Sequence, residues 1–80
     1  MSAGTVIIRV ALGSDGAAIR RLAELDSAPV PAGDLLVAES DGALVAAHAP
    51  VTGATIADPF RHTAQVVELL QLRGSMMRAA

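Results

Sequence analysis

The chain has no cysteine, lysine, tryptophan or tyrosine, and Phe60 is its only aromatic residue. Without cysteine, neither a disulfide nor a thiolate zinc site can brace the fold. Large apolar side chains are also scarce. Hydrophobic residues make up 52% of the 80 positions, but 17 of those 42 are alanine, so the core must be thin. A chain this short recovers only about 60% of its exposed surface on folding and commonly needs outside support. With disulfide and thiolate metal excluded, a partner subunit is the expected support. One domain spanning residues 1–80 fits the length; two do not. Six basic residues, all arginine, against eight acidic ones give a net charge of −2. That balance has no electrostatic footprint for nucleic acid. Apolar runs are broken well short of the roughly 18 residues a membrane helix needs. The first five residues carry no basic charge, and Arg9 interrupts the apolar stretch that follows, which is unlike a secretory signal. The expectation is a cytoplasmic protein with no membrane or nucleic-acid partner.

Period-two alternation over residues 5–10, with Val6, Ile8 and Val10 on one side and Ile7 and Arg9 on the other, predicts a strand. Gly13 to Gly16 punctuate the chain, and Ser14 or Asp15 is expected to cap a helix over residues 15–25. Ala18, Ile19, Leu22 and Leu25, with Ala23 alongside, form its apolar face, and Arg20, Arg21 and Glu24 share the other side. Pro29 and Pro31 make residues 26–33 a stiff loop. Residues 35–40 and 43–49 flank Asp41-Gly42, the dipeptide suited to a type I′ hairpin turn. Strict alternation would place Leu35, Val37 and Glu39 opposite Leu36, Ala38 and Ser40. On the second strand it would group Leu44, Ala46 and His48 against Ala43, Val45 and Ala47. A turn at residues 50–53 leads to a short edge strand over 54–57, completing a meander. Asp58-Pro59 stops it, and the proline is placed to open a helical turn, with Asp58 or Thr63 as N-cap. The last helix runs from about residue 63 to at least 73. Val66, Leu69, Leu70 and Arg73 form its stripe, which Met76 and Met77 extend if the helix passes Gly74. The fold class is therefore α+β: strand, helix, three-strand meander, helix, a small and mostly antiparallel sheet covered by two helices.

The opening Val6-Ile7-Ile8-Arg9-Val10-Ala11, followed by Asp15 and Ala17-Ala18-Ile19-Arg20-Arg21-Leu22, resembles the start of GNAT-type N-acetyltransferases. There an "I-R-x-A" strand feeds an "A-x-x-I-x-x-L" helix. Residues 36–47, reading LVAESDGALVAA, resemble that superfamily's next hairpin. Together these cover about two thirds of the chain. It also resembles a group of small high-GC bacterial proteins that share "L-D-S-A-P" and "A-D-P-F-R-x-T", here Leu25 to Pro29 and Ala57 to Thr63. The superfamily resemblance implies half a GNAT fold. In the full fold a glycine-rich turn after the central strand holds the coenzyme A pyrophosphate on backbone amides. Here that place reads Asp58-Pro59-Phe60-Arg61-His62-Thr63, with no glycine and no amide at Pro59. Gln71-Leu72-Arg73-Gly74-Ser75-Met76 matches the turn formally but has Met76 where a small residue belongs.

No catalytic residue follows from the sequence, because His48 and His62 lack a nucleophile and an orienting partner in any recognisable pattern. Nor do His48, His62, Asp58 and Glu39 show metal-ligand spacing. The expected function is non-catalytic association, as a homodimer or with a protein partner, and no cofactor is required. An acyl-coenzyme A-dependent transferase completed by a second chain, with acetyl-CoA as cofactor, is the enzymatic alternative; an accessory subunit of a larger assembly is the third. Ile56, in the edge strand, and Phe60 and Arg61 beyond it are the candidate contact residues. Phe60 is expected chiefly to cap the open end of the core, with an exposed partner anchor as the competing role. Arg61 is expected beside Asp58 in solvent, an anion site at the helix entry being the lesser reading. Residues 54–57 are the expected free edge for pairing with another chain.

Overall fold

The computed structural model describes residues 5–79. Four strands, β1 (Val6–Val10), β2 (Leu36–Ser40), β3 (Ala43–His48) and β4 (Thr55–Ala57), form one antiparallel sheet in that order. Helix α1 (Gly16–Leu25) lies between β1 and β2 in the chain, and α2 (Ala64–Ala79) follows β4. The α+β arrangement and the meander agree with the sequence expectation.

The helices cover opposite faces of the sheet, which is why both faces of the hairpin are apolar. Ile19, Leu22 and Ala23 of α1 bury against Leu35, Val37, Ala47, Ala49 and Ile56. On the other side Leu70 of α2 seats on Leu36, Ala38, Val45 and Ala46, with Val66 and Val67 beside it. Small residues in and just after β3 let both helices come close: Ala46, Ala47 and Ala49 are all fully buried.

The hairpin turns through Asp41 and Gly42, whose φ values of 53° and 82° are the left-handed conformations a type I′ turn requires. Its strands do not alternate strictly. The register shifts between Ala38 and Glu39, which pair with Ala46 and Leu44 and leave Val45 as an extra residue. This bulge puts Val45 and Ala46 on the α2 side, while Leu44 joins Ala47 on the α1 side. The expected grouping of Leu44 with Ala46 and His48 is thereby corrected.

Helix α1 ends in a Schellman arrangement. Ser27, at φ 52°, donates its N–H to Glu24 C=O, and Ala28 donates to Ala23 C=O. Its start differs from expectation: residues 13–15 form a single 3-10 turn, and Asp15 makes no capping bond into the helix. Helix α2 starts at Ala64, and its Val67 N–H bonds to Thr63 C=O. The proline opens no helix; residues 58–61 make one isolated turn, closed by Arg61 N–H to Asp58 C=O. The helix runs through Gly74 to Ala79. Its buried face is rotated from the expected stripe, because Val66, Val67, Leu70 and Gly74 face the sheet while Leu69 and Arg73 lie exposed.

Candidate interaction surface

Charge is concentrated where β1 meets α1. Arg9 donates from Nε to Glu39 Oε2 at 2.5 Å and forks onto both oxygens of Asp15, at 2.7 and 3.0 Å. Asp15 also accepts the Leu12 N–H at 2.7 Å. The Arg9 hydrogen bonds, joined by the Leu12 amide, hold the Asp15 carboxyl down at about 2. The two carboxylates raise Arg9 above its ordinary value, Asp15 contributing more. These groups satisfy one another and fasten the start of α1 to the sheet.

His48 is buried on the α2 side and shares a 2.7 Å hydrogen bond between Nδ1 and Thr55 Oγ1. The backbone of Gly74 lies directly over its ring: a Cβ at residue 74 would stand 2.7 Å from His48 Cδ2 and Nε2. His48 is thus a packing and hydrogen-bonding residue between β3, β4 and α2. Among the described residues, no group of three or more His, Asp or Glu side chains is arranged to hold a metal ion.

Residues 58–66 border a broad open groove of about 1180 Å³, whose far wall includes Val6 and Ser40. Its loop is held from within. Asp58 Oδ1 accepts the Phe60 N–H at 2.9 Å, and Arg61 Nε lies 3.6 Å from Asp58 Oδ2. Arg61 is therefore the solvated partner of Asp58. Phe60 is 81% exposed, so the expectation that it caps the core is wrong: the bound Asp58 turn ends the strand and aims the ring at solvent. Ile56 is also displaced from its expected role. It is 2% exposed and buried beneath α1, which removes its side chain from any contact surface.

Other exposed apolar side chains lie on β1 and α2, at positions not expected as contact residues. Val6, Ile7 and Val10 of β1 are each 41–55% exposed. On α2, Leu69, Leu72 and Met76 are 49–60% exposed and recur at helical spacing on one flank. Gln65 and Val66, at the start of α2, line the groove together with Val6 and Ser40, so the first turn of the helix faces the β1 side of the sheet. Alternation along β1 was visible in the sequence; on α2 Leu69 and Met76 were expected on the packed stripe, and the rotated helix leaves them exposed.

The two edges of the sheet differ. Ala49 N–H bonds to Ala54 C=O, and Asp58 N–H bonds to Val45 C=O. By alternation, the backbone of Thr55 and Ala57 points away from β3. The outward Ala57 N–H is taken by Asp26 Oδ2 at 3.1 Å, and the Thr55 side chain is engaged by His48. The edge expected to be free is therefore short and partly capped by the end of α1. On β1, Ala11 N–H bonds to Leu35 C=O at 2.9 Å, so Ile7 and Arg9 also point their amides toward β2. Val6, Ile8 and Val10 present theirs outward.

No protein-family model matches the chain, and no match was found to a curated protein or a solved structure. No helix among the described residues is long and apolar enough to cross a membrane.

Proposed function

We propose that this is a non-catalytic, GNAT-like small domain that acts by association, with a second copy of itself or with a protein partner. The observation that carries the reading is the apolar surface that β1 and the adjoining flank of α2 leave uncovered. Single exposed apolar residues are ordinary, but several along one strand edge and the helix beside it mark an interaction surface. The loop at residues 58–63 supports the same reading. Pro59 has no amide, and the amides of Phe60 and Arg61 bond to Asp58, so these donors are turned inward instead of toward a pyrophosphate. Phe60 and Arg61, exposed at the groove, are a second place for contact.

Sedimentation across the micromolar range, run beside an acetyl-coenzyme A titration, tests the reading. Self-association, or recovery of a stoichiometric partner complex, with no saturable ligand binding at millimolar concentration is the expected result. Saturable binding of the coenzyme would favour the acyltransferase alternative. A monomer that captures nothing would overturn the proposal.

A further inference from the structure

We infer that two copies of the chain join through their β1 edges, antiparallel about a two-fold axis at Ile8, so that two four-stranded sheets become one. The inference rests on the association reading and specifies its geometry. Backbone direction comes first. Val6, Ile8 and Val10 point both N–H and C=O away from β2, as the Ala11 bond to Leu35 dictates. In the two-fold register Ile8 exchanges both bonds with the partner's Ile8, and Val6 exchanges both with the partner's Val10. Val10 C=O receives a long 3.3 Å contact from Arg9 Nη1, which leaves a lone pair for the new donor.

Side chains agree with this register. Ile8 packs on the α2 side, so Val6 and Val10 lie on that side too, and the new pairs there are valine with valine and isoleucine with isoleucine. Such β-branched cross-strand pairs are favourable. On the other face Ile7 stands opposite the partner's Arg9. The guanidinium is already neutralised by Asp15 and Glu39, so the axis brings no unpaired like charges together. A specific dimer needs about 600 Å² or more from each copy, roughly an eighth of the 5116 Å² surface. Five paired residues alone are short of that. Of the exposed apolar residues of α2, Leu69 and Met76 turn toward the β1 side and extend the apolar area beside the new interface, while Leu72, about 200° round the helix from the buried Leu70, faces away from the sheet.

The edge also lacks what usually prevents pairing. Strand edges are commonly blunted by lysine, proline, a bulge or a covering segment. β1 has no proline or lysine, no register shift against β2, and its one charged side chain is turned onto its own sheet. β4 is short and has its outward Ala57 amide capped. One edge is short and partly capped while the other is open, and two-fold pairing of β1 with itself closes at a dimer instead of growing into an open fibre.

A pair of charge variants tests the register. Val6→Lys/Val10→Lys places lysine opposite the partner's lysine in both symmetry-related positions, and Val6→Glu/Val10→Glu does the same with glutamate. Both sites are about half exposed in the monomer, so the fold tolerates them. Each variant alone should dimerise at least about tenfold more weakly than wild type, and an equimolar mixture should recover a one-to-one heterodimer. In wild type, amide exchange at Val6, Ile8 and Val10 should slow with rising protein concentration while Ile7 and Arg9 do not change. That measurement does not depend on the variants folding. A dimer that persists in both variants, or exchange at these amides independent of concentration, would overturn the strand pairing and leave association through another surface standing. A wild-type chain that is monomeric throughout would overturn the pairing and homodimeric association together.

Discussion

Replacing Gly74 with alanine separates two opposing effects whose sizes follow from the structure. On an isolated helix the change is favourable by about 1 kcal/mol, because glycine loses more backbone freedom. Here the added methyl would stand 2.7 Å from two atoms of the His48 ring and 3.5 Å from Pro50 Cβ. Carbon atoms in contact sit about 3.5 to 4.0 Å apart, so helix or ring must move by nearly an ångström. The ring has little freedom, being 5% exposed and tied to Thr55. Overpacking of this kind costs about 1 to 3 kcal/mol. Net of the helix gain, Gly74→Ala should destabilise by about 1 kcal/mol. Such a loss lowers Tm by about 4 to 8 °C in a domain of this size. Thermal melting by circular dichroism reads it directly. The decisive control is the same substitution in a His48→Ala background, where the clash is gone and the sign should reverse to a small gain. A Gly74→Ala chain that melts higher than wild type would refute the close seating of α2 on His48. So would a loss that persists unchanged without the imidazole.

Two further outcomes are expected. Asp15 is held at about 2 by Arg9 and the Leu12 amide, below the usual carboxylate range. The stability from its charged form is therefore fully present above about pH 4 and lost as pH falls toward 2. Asp15→Asn should lower stability at neutral pH and flatten that acid limb, checked by denaturant melts at several pH values; an unchanged limb would contradict the bridge. Phe60→Ala should leave the thermal melt within about 0.5 kcal/mol of wild type, since the ring is exposed, and a collapse of folding would return Phe60 to the core.

Much of the fold was legible because local signals and tertiary demands agree. The alternation of β1, the apolar face of α1 and the Asp41-Gly42 turn each appear where short-range patterning puts them. What escaped is decided by contacts distant in sequence. The Val45 bulge carries no glycine or other local marker, and it arises where two helices compete for the faces of one strand. Helix α2 has apolar residues at 66, 67, 69, 70 and 72, so its pattern permits more than one buried face. The fit of Gly74 over His48 fixes the rotation, and neither residue is hydrophobic patterning. Asp26 reads locally as the end of a helix, yet its carboxylate caps Ala57, 31 residues away. Two side-chain orientations were misread for the same reason. Phe60 was assigned inward as the only aromatic, and Ile56 outward as an edge residue, but the Asp58 turn and the position of α1 reverse both.

The thin core and the open edge have one origin. Ala38, Ala46 and Ala47 in the central strands, and Ala49 just beyond β3, are fully buried, which lets a helix approach from each side within 80 residues. Alanine removes little apolar area from water, and hydrophobic stabilisation follows that area at about 25 cal/mol per Å². The large aliphatic side chains that would offset this are partly spent outside the core: Val6, Ile7 and Val10 on β1, and Leu69, Leu72 and Met76 on α2. Placed inward, these six would overfill a sheet whose two faces are already covered. Left about half exposed, they contribute only part of their apolar area to the isolated chain and gain on contact with another surface. With no disulfide available, the proposed association would bury more of these side chains, and folding and association would draw on the same apolar residues.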